Sequence, residues 1–219
     1  MHQTVNNLIQ IQNQLKDYNE NRLKNYTKII AVSKTFPTDK ILPLIEYGHT
    51  DFGENKVQEA IEKWTNIKEK YHSIKLHMIG KLQTNKVKFA INLFDYIHSL
   101  DNFKLAKKIS DEQQKNNKKP KIFIQINIGN ESQKSGINSN ELNEFYNNCI
   151  NDLNLDIIGI MCLPPNDNKG DFYFKKMSEL IKMISANELS MGMSNDYLEA
   201  FKTGATFLRI GSNIFGNRN

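Results

Sequence analysis

Lys28-Ile-Ile-Ala-Val-Ser-Lys34-Thr35 is a short apolar run that ends on an amine. Ile30, Val32 and Lys34 share one parity while Ile29 and Ala31 share the other, so a strand buried on both faces carries Lys34 inward at its C-terminal tip. Strands of that kind belong to parallel sheets covered by helices. A lysine at such a tip ordinarily reaches solvent along its flexible stem. Only its neighbours can give it another role.

The same strand-then-helix unit repeats downstream. Asp39 to Tyr47 predicts a helix, with Pro43 an awkward residue inside it. Thr50-Asp-Phe-Gly-Glu54 predicts a strand, and Val57, Ala60, Ile61, Trp64 and Ile67 form the apolar stripe of the next helix. Further strands are predicted at Lys75 to Gly80, Tyr96 to Ser99, Lys121 to Ile128, Ile157 to Leu163, Leu189 to Met193 and Thr206 to Gly211, with a helical pattern in each interval. Eight strands alternating with helices, and no Ser/Gly/Pro-rich linker, predict one α/β domain over 1–219, a single (β/α)8 TIM barrel. Ahead of it, Val5, Leu8, Ile9, Gln12, Leu15 and Leu23 recur at helical spacing, which predicts an extra N-terminal helix within residues 1–26 packing on the barrel. In a barrel the active face lies where strands end, which is where Lys34, Asn55, Asn127, Met161, Ser194 and Arg209 fall.

Composition narrows the classes of function. The chain has 219 residues, with 29 Lys and Arg against 24 Asp and Glu, a formal charge of +5. The basic residues are dispersed, and the one dense run, Lys115 to Lys121, holds a proline and no aromatic on which a base could stack, so a nucleic-acid partner is not expected. Cys149 and Cys162 have no metal-type spacing and read as small core residues in a reducing compartment. The N-terminus lacks a basic n-region and an apolar h-region, and the stretch Ile157 to Pro165 is too short to span a bilayer, so a cytoplasmic protein is expected.

Two glycine- and serine-bearing turns follow the last two strands, in Leu189-Ser-Met-Gly-Met-Ser-Asn-Asp196 and Arg209-Ile-Gly-Ser-Asn-Ile-Phe-Gly216. That is the usual phosphate address in a barrel. The backbone N–H groups of Gly211 and Ser212 and the Ser194 hydroxyl suit a phosphate dianion, and Arg209, inward with Phe207, needs an acceptor. Alone, each piece is as common in structural roles as in functional ones. With an inward Lys34 they suggest a phosphorylated aldehyde, because a lysine amine that is neutral part of the time forms an imine with a carbonyl.

Ala31-Val-Ser-Lys-Thr35, Phe52-Gly-Glu-Asn55 with Val57-Gln-Glu59, His77-Met-Ile-Gly80 with Leu82-Gln-Thr-Asn-Lys86, Leu189 to Asp196, and Arg209 to Gly216 together resemble the YggS/PROSC family of pyridoxal-phosphate-binding proteins. The resemblance covers almost the whole chain. It implies a barrel like the N-terminal domain of alanine racemase, with pyridoxal 5′-phosphate as an imine on Lys34. It further implies phosphate contacts from Ser194, Gly211 and Ser212, Arg209 facing the pyridine nitrogen, and Asn55 near the cofactor. Lys56, where an aromatic residue commonly follows the Phe-Gly-Glu-Asn motif, and Phe36-Pro37 after Ser-Lys-Thr depart from the pattern without removing a cofactor group. His77 lies in a matched motif and reads equally as a satisfied barrel histidine or a ligand contact.

Arg209 gives the pyridine nitrogen a hydrogen bond but no proton, and an unprotonated ring is a poor electron sink. The chain ends at Asn219, three residues after Gly216, where the racemase continues into a second domain that supplies a tyrosine. The expectation is a non-catalytic protein of vitamin B6 homeostasis that stores, buffers or delivers pyridoxal phosphate, a monomer with transient contacts to apo-enzymes that use the cofactor. The alternative is a low-activity racemase.

Overall fold

The computed structural model describes residues 1–18, 27–167 and 169–217. Eight parallel strands close into a barrel in sequential order, β1 (Lys28–Val32), β2 (Asp51–Glu54), β3 (Lys75–Met78), β4 (Tyr96–Leu100), β5 (Lys121–Ile126), β6 (Asp156–Cys162), β7 (Glu188–Ser190) and β8 (Phe207–Ile210), with β8 pairing back onto β1. The expected (β/α)8 barrel is observed. The extra helix is there too, as α1 (Gln3–Asp17), which buries Val5, Leu8, Ile11 and Leu15. Leu23, assigned to the same helix from its spacing, lies outside the described residues.

Helices fill the intervals: α2 (Thr38–Glu46), α3 (Val57–Lys70), α4 (Val87–Leu93), α5 (Phe103–Asn116), α6 (Leu142–Asn147), α7 (Gly170–Leu180), α8 (Tyr197–Lys202) and the short α9 (Ser212–Phe215). Pro43 does not stop α2, which runs through it to Glu46. It is the sixth of nine residues there, so the helix forgoes the bond an N–H at this position would have given to the Asp39 carbonyl. The helix α6 is less regular than its sequence pattern, entering through a 3₁₀ turn at Ser139–Glu141 and leaving through a π turn at Asn148–Asp152. No described helix is long and apolar enough to cross a membrane.

Two apolar layers follow from strand parity. Ile29, Ala31, Phe52, Leu76, Ile97, Ile122, Ile124 and Leu208 face outward into the shell between sheet and helices. Ile30, Tyr96, Phe123, Met161 and Phe207 pack inside the barrel. Met161, expected at the active rim, is therefore interior filling. Asn127 does not reach the rim cavity either, because it ties its own loop, donating to the Glu131 carbonyl at 2.8 Å and accepting from the Glu131 N–H at 3.1 Å.

Closure depends on close approach between β6 and β7. A Cβ on Gly159 would stand 1.9 Å from the Glu188 carbonyl oxygen, its neighbour in the ladder. Gly159→Ala is expected to force the strands apart and cost about 1–3 kcal/mol, read as a lower urea midpoint at unchanged m-value.

Candidate functional site

The segment after β1 turns sharply. The strand stops at Val32, so Lys34 sits in a turn beyond the strand instead of on its last rung, yet parity persists: Ile30 is inside the barrel, and Val32 and Lys34 line a cavity at its C-terminal mouth. Thr35 holds φ +68°. A β-branched residue there is strained by roughly 1–3 kcal/mol, so its surroundings must hold it.

They do so through β2 and α3. The Ser33 hydroxyl donates to Glu54 Oε1 at 2.8 Å, and the Trp64 indole N–H donates to the same oxygen at 3.0 Å. Lys63 Nζ donates to the Ser33 carbonyl at 3.0 Å, to Glu54 at 3.1 Å and to Glu59 at 3.2 Å. Glu59 in turn accepts the Thr35 N–H at 2.7 Å. Behind the turn, Phe36 stacks on Phe215 of α9 with ring centroids 4.9 Å apart. Phe36, a departure from the family pattern, thus joins the Lys34 turn to the C-terminal turn.

Next to this turn, since β8 pairs with β1, the loop after β7 meets the loop after β8. The Gly211 N–H donates to the Ser194 hydroxyl at 3.2 Å, and the Asn213 amide donates to the Ser194 carbonyl at 2.9 Å. Asn55 follows β2 and lies against Gly80, where a Cβ would lie 2.3 Å from the Asn55 carbonyl oxygen, so glycine is what lets the β3 loop close over it. Arg209 enters from β8, buried, with Nη1 donating to the Ser190 hydroxyl at 2.6 Å and Nη2 to the Cys162 carbonyl at 2.8 Å. No carboxylate touches the guanidinium among the described residues, and burial lowers its proton affinity from the usual arginine value.

All six residues singled out from sequence, Lys34, Asn55, Ser194, Arg209, Gly211 and Ser212, line this one cavity of about 990 Å³. A second cavity of about 500 Å³ lies at the opposite end beneath α1, lined by Lys28 and Asp51, without the serine and glycine turns of the mouth. The mouth cavity fits a phosphorylated pyridine aldehyde on observations independent of any motif. Asn55 Oδ1 is buried there with no hydrogen-bond partner among the described residues, and Arg209 lines it with a planar guanidinium held in place by Ser190 and the Cys162 carbonyl.

Sequence reasoning missed the support. Ser190, Glu54 and Lys63 act through space, and only the Phe-Gly-Glu-Asn motif hinted at Glu54. It also left His77 open. His77 turns out to be fully buried, with Nδ1 2.9 Å from His98 Nε2 and Nε2 3.1 Å from Asp51 Oδ1, while His98 Nδ1 lies 2.9 Å from Ser190 Oγ. It is a barrel histidine and does not line the cavity.

The chain matches the family model described as the alanine racemase N-terminal domain over residues 7–219. It is 39% identical over 223 residues to the pyridoxal phosphate homeostasis protein of Haemophilus influenzae, covering 97% of this chain and 94% of that protein. The pyridoxal phosphate homeostasis protein of Aquifex aeolicus is 36% identical over 206 residues, at 90% of each chain. The structure of PipY from Synechococcus elongatus with PLP bound superposes with a TM-score of 0.84 at 29% identity, over 98% of this chain and 100% of that one. An alanine racemase from Clostridium difficile, 16% identical, shares the fold with a TM-score of 0.73 over 99% of this chain and 57% of its own.

Two measurements check this geometry. Lys63→Met strands the buried Glu54 carboxylate without its cation and is expected to cost about 3–5 kcal/mol in urea unfolding, most of it recovered when Glu54→Gln is added. The second is pH dependence. Burial is the main cause holding both His77 and His98 below the usual histidine value, His98 well below. The unfolded chain takes up those protons as pH falls through about 6.5 while the native state does not, so stability declines on acidification, by up to about 1.4 kcal/mol per pH unit for each histidine. His98→Gln is expected to flatten that slope.

Proposed function

This chain belongs to the family of pyridoxal phosphate homeostasis proteins, and on that premise we propose that it binds pyridoxal 5′-phosphate as an imine on Lys34 and stores or delivers it without robust turnover. The observation that carries the reading is that Lys34 and the Ser194, Gly211 and Ser212 turns line one cavity. A ligand with an aldehyde at one end and a phosphate at the other spans it. The Ser194 hydroxyl and the N–H groups of Gly211 and Ser212 take the phosphate, and the orphaned Asn55 Oδ1 faces the ligand. Arg209 donates to the pyridine nitrogen.

When bound, pyridoxal phosphate supplies a reactive aldehyde and, given a proton on its ring nitrogen, an electron sink. Arg209 keeps its protons and leaves that nitrogen unprotonated, which disfavours carbanion chemistry. Racemisation further requires an acid and a base on opposite faces of the ring. Among the described residues that line the cavity, the titratable ones are Lys34, Asp196 and Arg209, and Asp196 already accepts the Met193 N–H. The naming of the relatives supports the same reading. A carrier of this kind meets apo-enzymes that use the cofactor only in passing.

Purified protein mixed with pyridoxal phosphate is expected to show a visible imine absorption that borohydride traps on Lys34 and that Lys34→Ala abolishes. Ser194→Ala is expected to weaken binding on the order of ten-fold through loss of a hydrogen bond to a charged group while the trapped adduct stays on Lys34. Absence of any adduct in the wild type sinks the reading, and stereochemical exchange of an amino-acid α-proton that needs Lys34 replaces the carrier with a racemase.

A further inference from the structure

The interior of a barrel is ordinarily filled by layers of branched apolar side chains. Here a file of polar groups crosses it. Asp51 stands at the first residue of β2, His77 on β3, His98 in the middle of β4, Ser190 at the end of β7, and Arg209 on β8 at the cavity. Four contacts link them: Asp51 Oδ1 to His77 Nε2 at 3.1 Å, His77 Nδ1 to His98 Nε2 at 2.9 Å, His98 Nδ1 to Ser190 Oγ at 2.9 Å, and Ser190 Oγ to Arg209 Nη1 at 2.6 Å. Both imidazoles are clamped by aromatic faces, His77 on Tyr96 at 4.3 Å and His98 on Phe123 at 4.2 Å, so neither ring can tumble.

The two ends of the file dictate its direction. A guanidinium only donates, and an ionised carboxylate only accepts. Ser190 Oγ therefore accepts from Arg209 and spends its own proton on His98 Nδ1. A neutral His98 then carries its proton on Nε2 and donates to His77 Nδ1, and a neutral His77 likewise donates from Nε2 to Asp51. Every donor meets one acceptor, with none left over. Any other neutral tautomer would set two N–H groups or two lone pairs against each other in a dry interior, a costly arrangement.

We propose that Asp51, His77, His98 and Ser190 form a one-directional hydrogen-bond relay that fixes the orientation of the Arg209 guanidinium and ties its charge to a carboxylate at the far end of the barrel. The three residues between Asp51 and Arg209 are positioning residues. Because Arg209 gives up no proton, the relay orients and does not conduct. It rests on the reading that Arg209 faces the pyridine nitrogen, and deepens it: a guanidinium locked in this way holds the cofactor's ring unprotonated and its nitrogen in register. The charged and titratable groups facing the histidines belong to the same frame. Lys28 approaches Asp51 at 3.9 Å and the Tyr96 hydroxyl at 3.4 Å, His49 bonds the Asp51 carbonyl at 2.9 Å, the Thr50 hydroxyl donates to Asp51 at 2.7 Å, and Asp95 acts on His77 from the start of β4.

The relay is tested first on the apo-protein. With ¹⁵N-labelled histidine, His77 and His98 are expected to report neutral Nε2–H tautomers unchanged from pH 8 to pH 5.5. Titration of either ring near the ordinary histidine value, or an Nδ1–H tautomer at either one, overturns the relay. Coupling to the cofactor is then read from pyridoxal phosphate titrations of the wild type, His98→Phe and His98→Gln, with borohydride trapping on each. His98→Phe is expected to bind on the order of ten-fold more weakly with the adduct still on Lys34, and His98→Gln, which accepts and donates in the same sense, to recover most of the loss. Wild-type affinity in a folded His98→Phe overturns the coupling, and should that variant not fold, Ser190→Ala, which cuts the file next to Arg209, takes its place with the same outcomes. If the wild type forms no adduct, the cofactor reading fails and takes the coupling with it, while the apo-protein spectra still decide the relay.

Discussion

A guanidinium cannot shed its charge when it is buried, so the barrel must provide for Arg209. It does so with a serine hydroxyl and a backbone carbonyl and with no carboxylate in contact among the described residues. Those acceptors lie on β7, which pairs with β8, and on β6, one strand further round the barrel. The strand pairing that closes the sheet is therefore also what makes a buried arginine tolerable. Ser190 holds its proton direction only because His98 accepts from it, and His98 only because His77 does. One charge at the mouth thus organises polar groups down to the floor.

The Lys34 turn solves a different problem. Its backbone is strained at Thr35, and the strain is opposed by hydrogen bonds from groups on β2 and α3 and by the stacking of Phe36 on α9. α9 is itself pinned by α1, since the Asn7 amide donates to the Ile214 carbonyl at 2.9 Å. The N-terminal helix, the first strand's turn and the last helix form one connected wall. That wall places an amine in one cavity with a pair of glycine- and serine-bearing turns, which is what a reversible carrier of a phosphorylated aldehyde requires and what a bare strand-end lysine would not supply.

Much of this was legible in the sequence. Alternating apolar runs and helical stripes determined eight strands with a helix in each interval, because side-chain period follows directly from backbone geometry. Parity placed Ile30 and Phe207 inside and Ile29 and Ala31 outside, and these placements hold. The motifs named the six residues that meet at the mouth. By themselves, residue order and spacing determined a barrel, a lysine at its rim, and glycine-serine turns after its last two strands.

Tertiary structure alone decided what those residues touch. That β1 stops at Val32 and hands Lys34 to a braced turn depends on Glu54, Lys63 and Glu59, which lie 20 to 30 positions away and whose roles no local period encodes. That His77 serves the interior instead of the cavity depends on His98, Asp51 and Ser190 arriving from three other strands. Hydrogen bonds across a closed sheet depend on register and on the direction each donor points, and both are settled only when β8 pairs with β1.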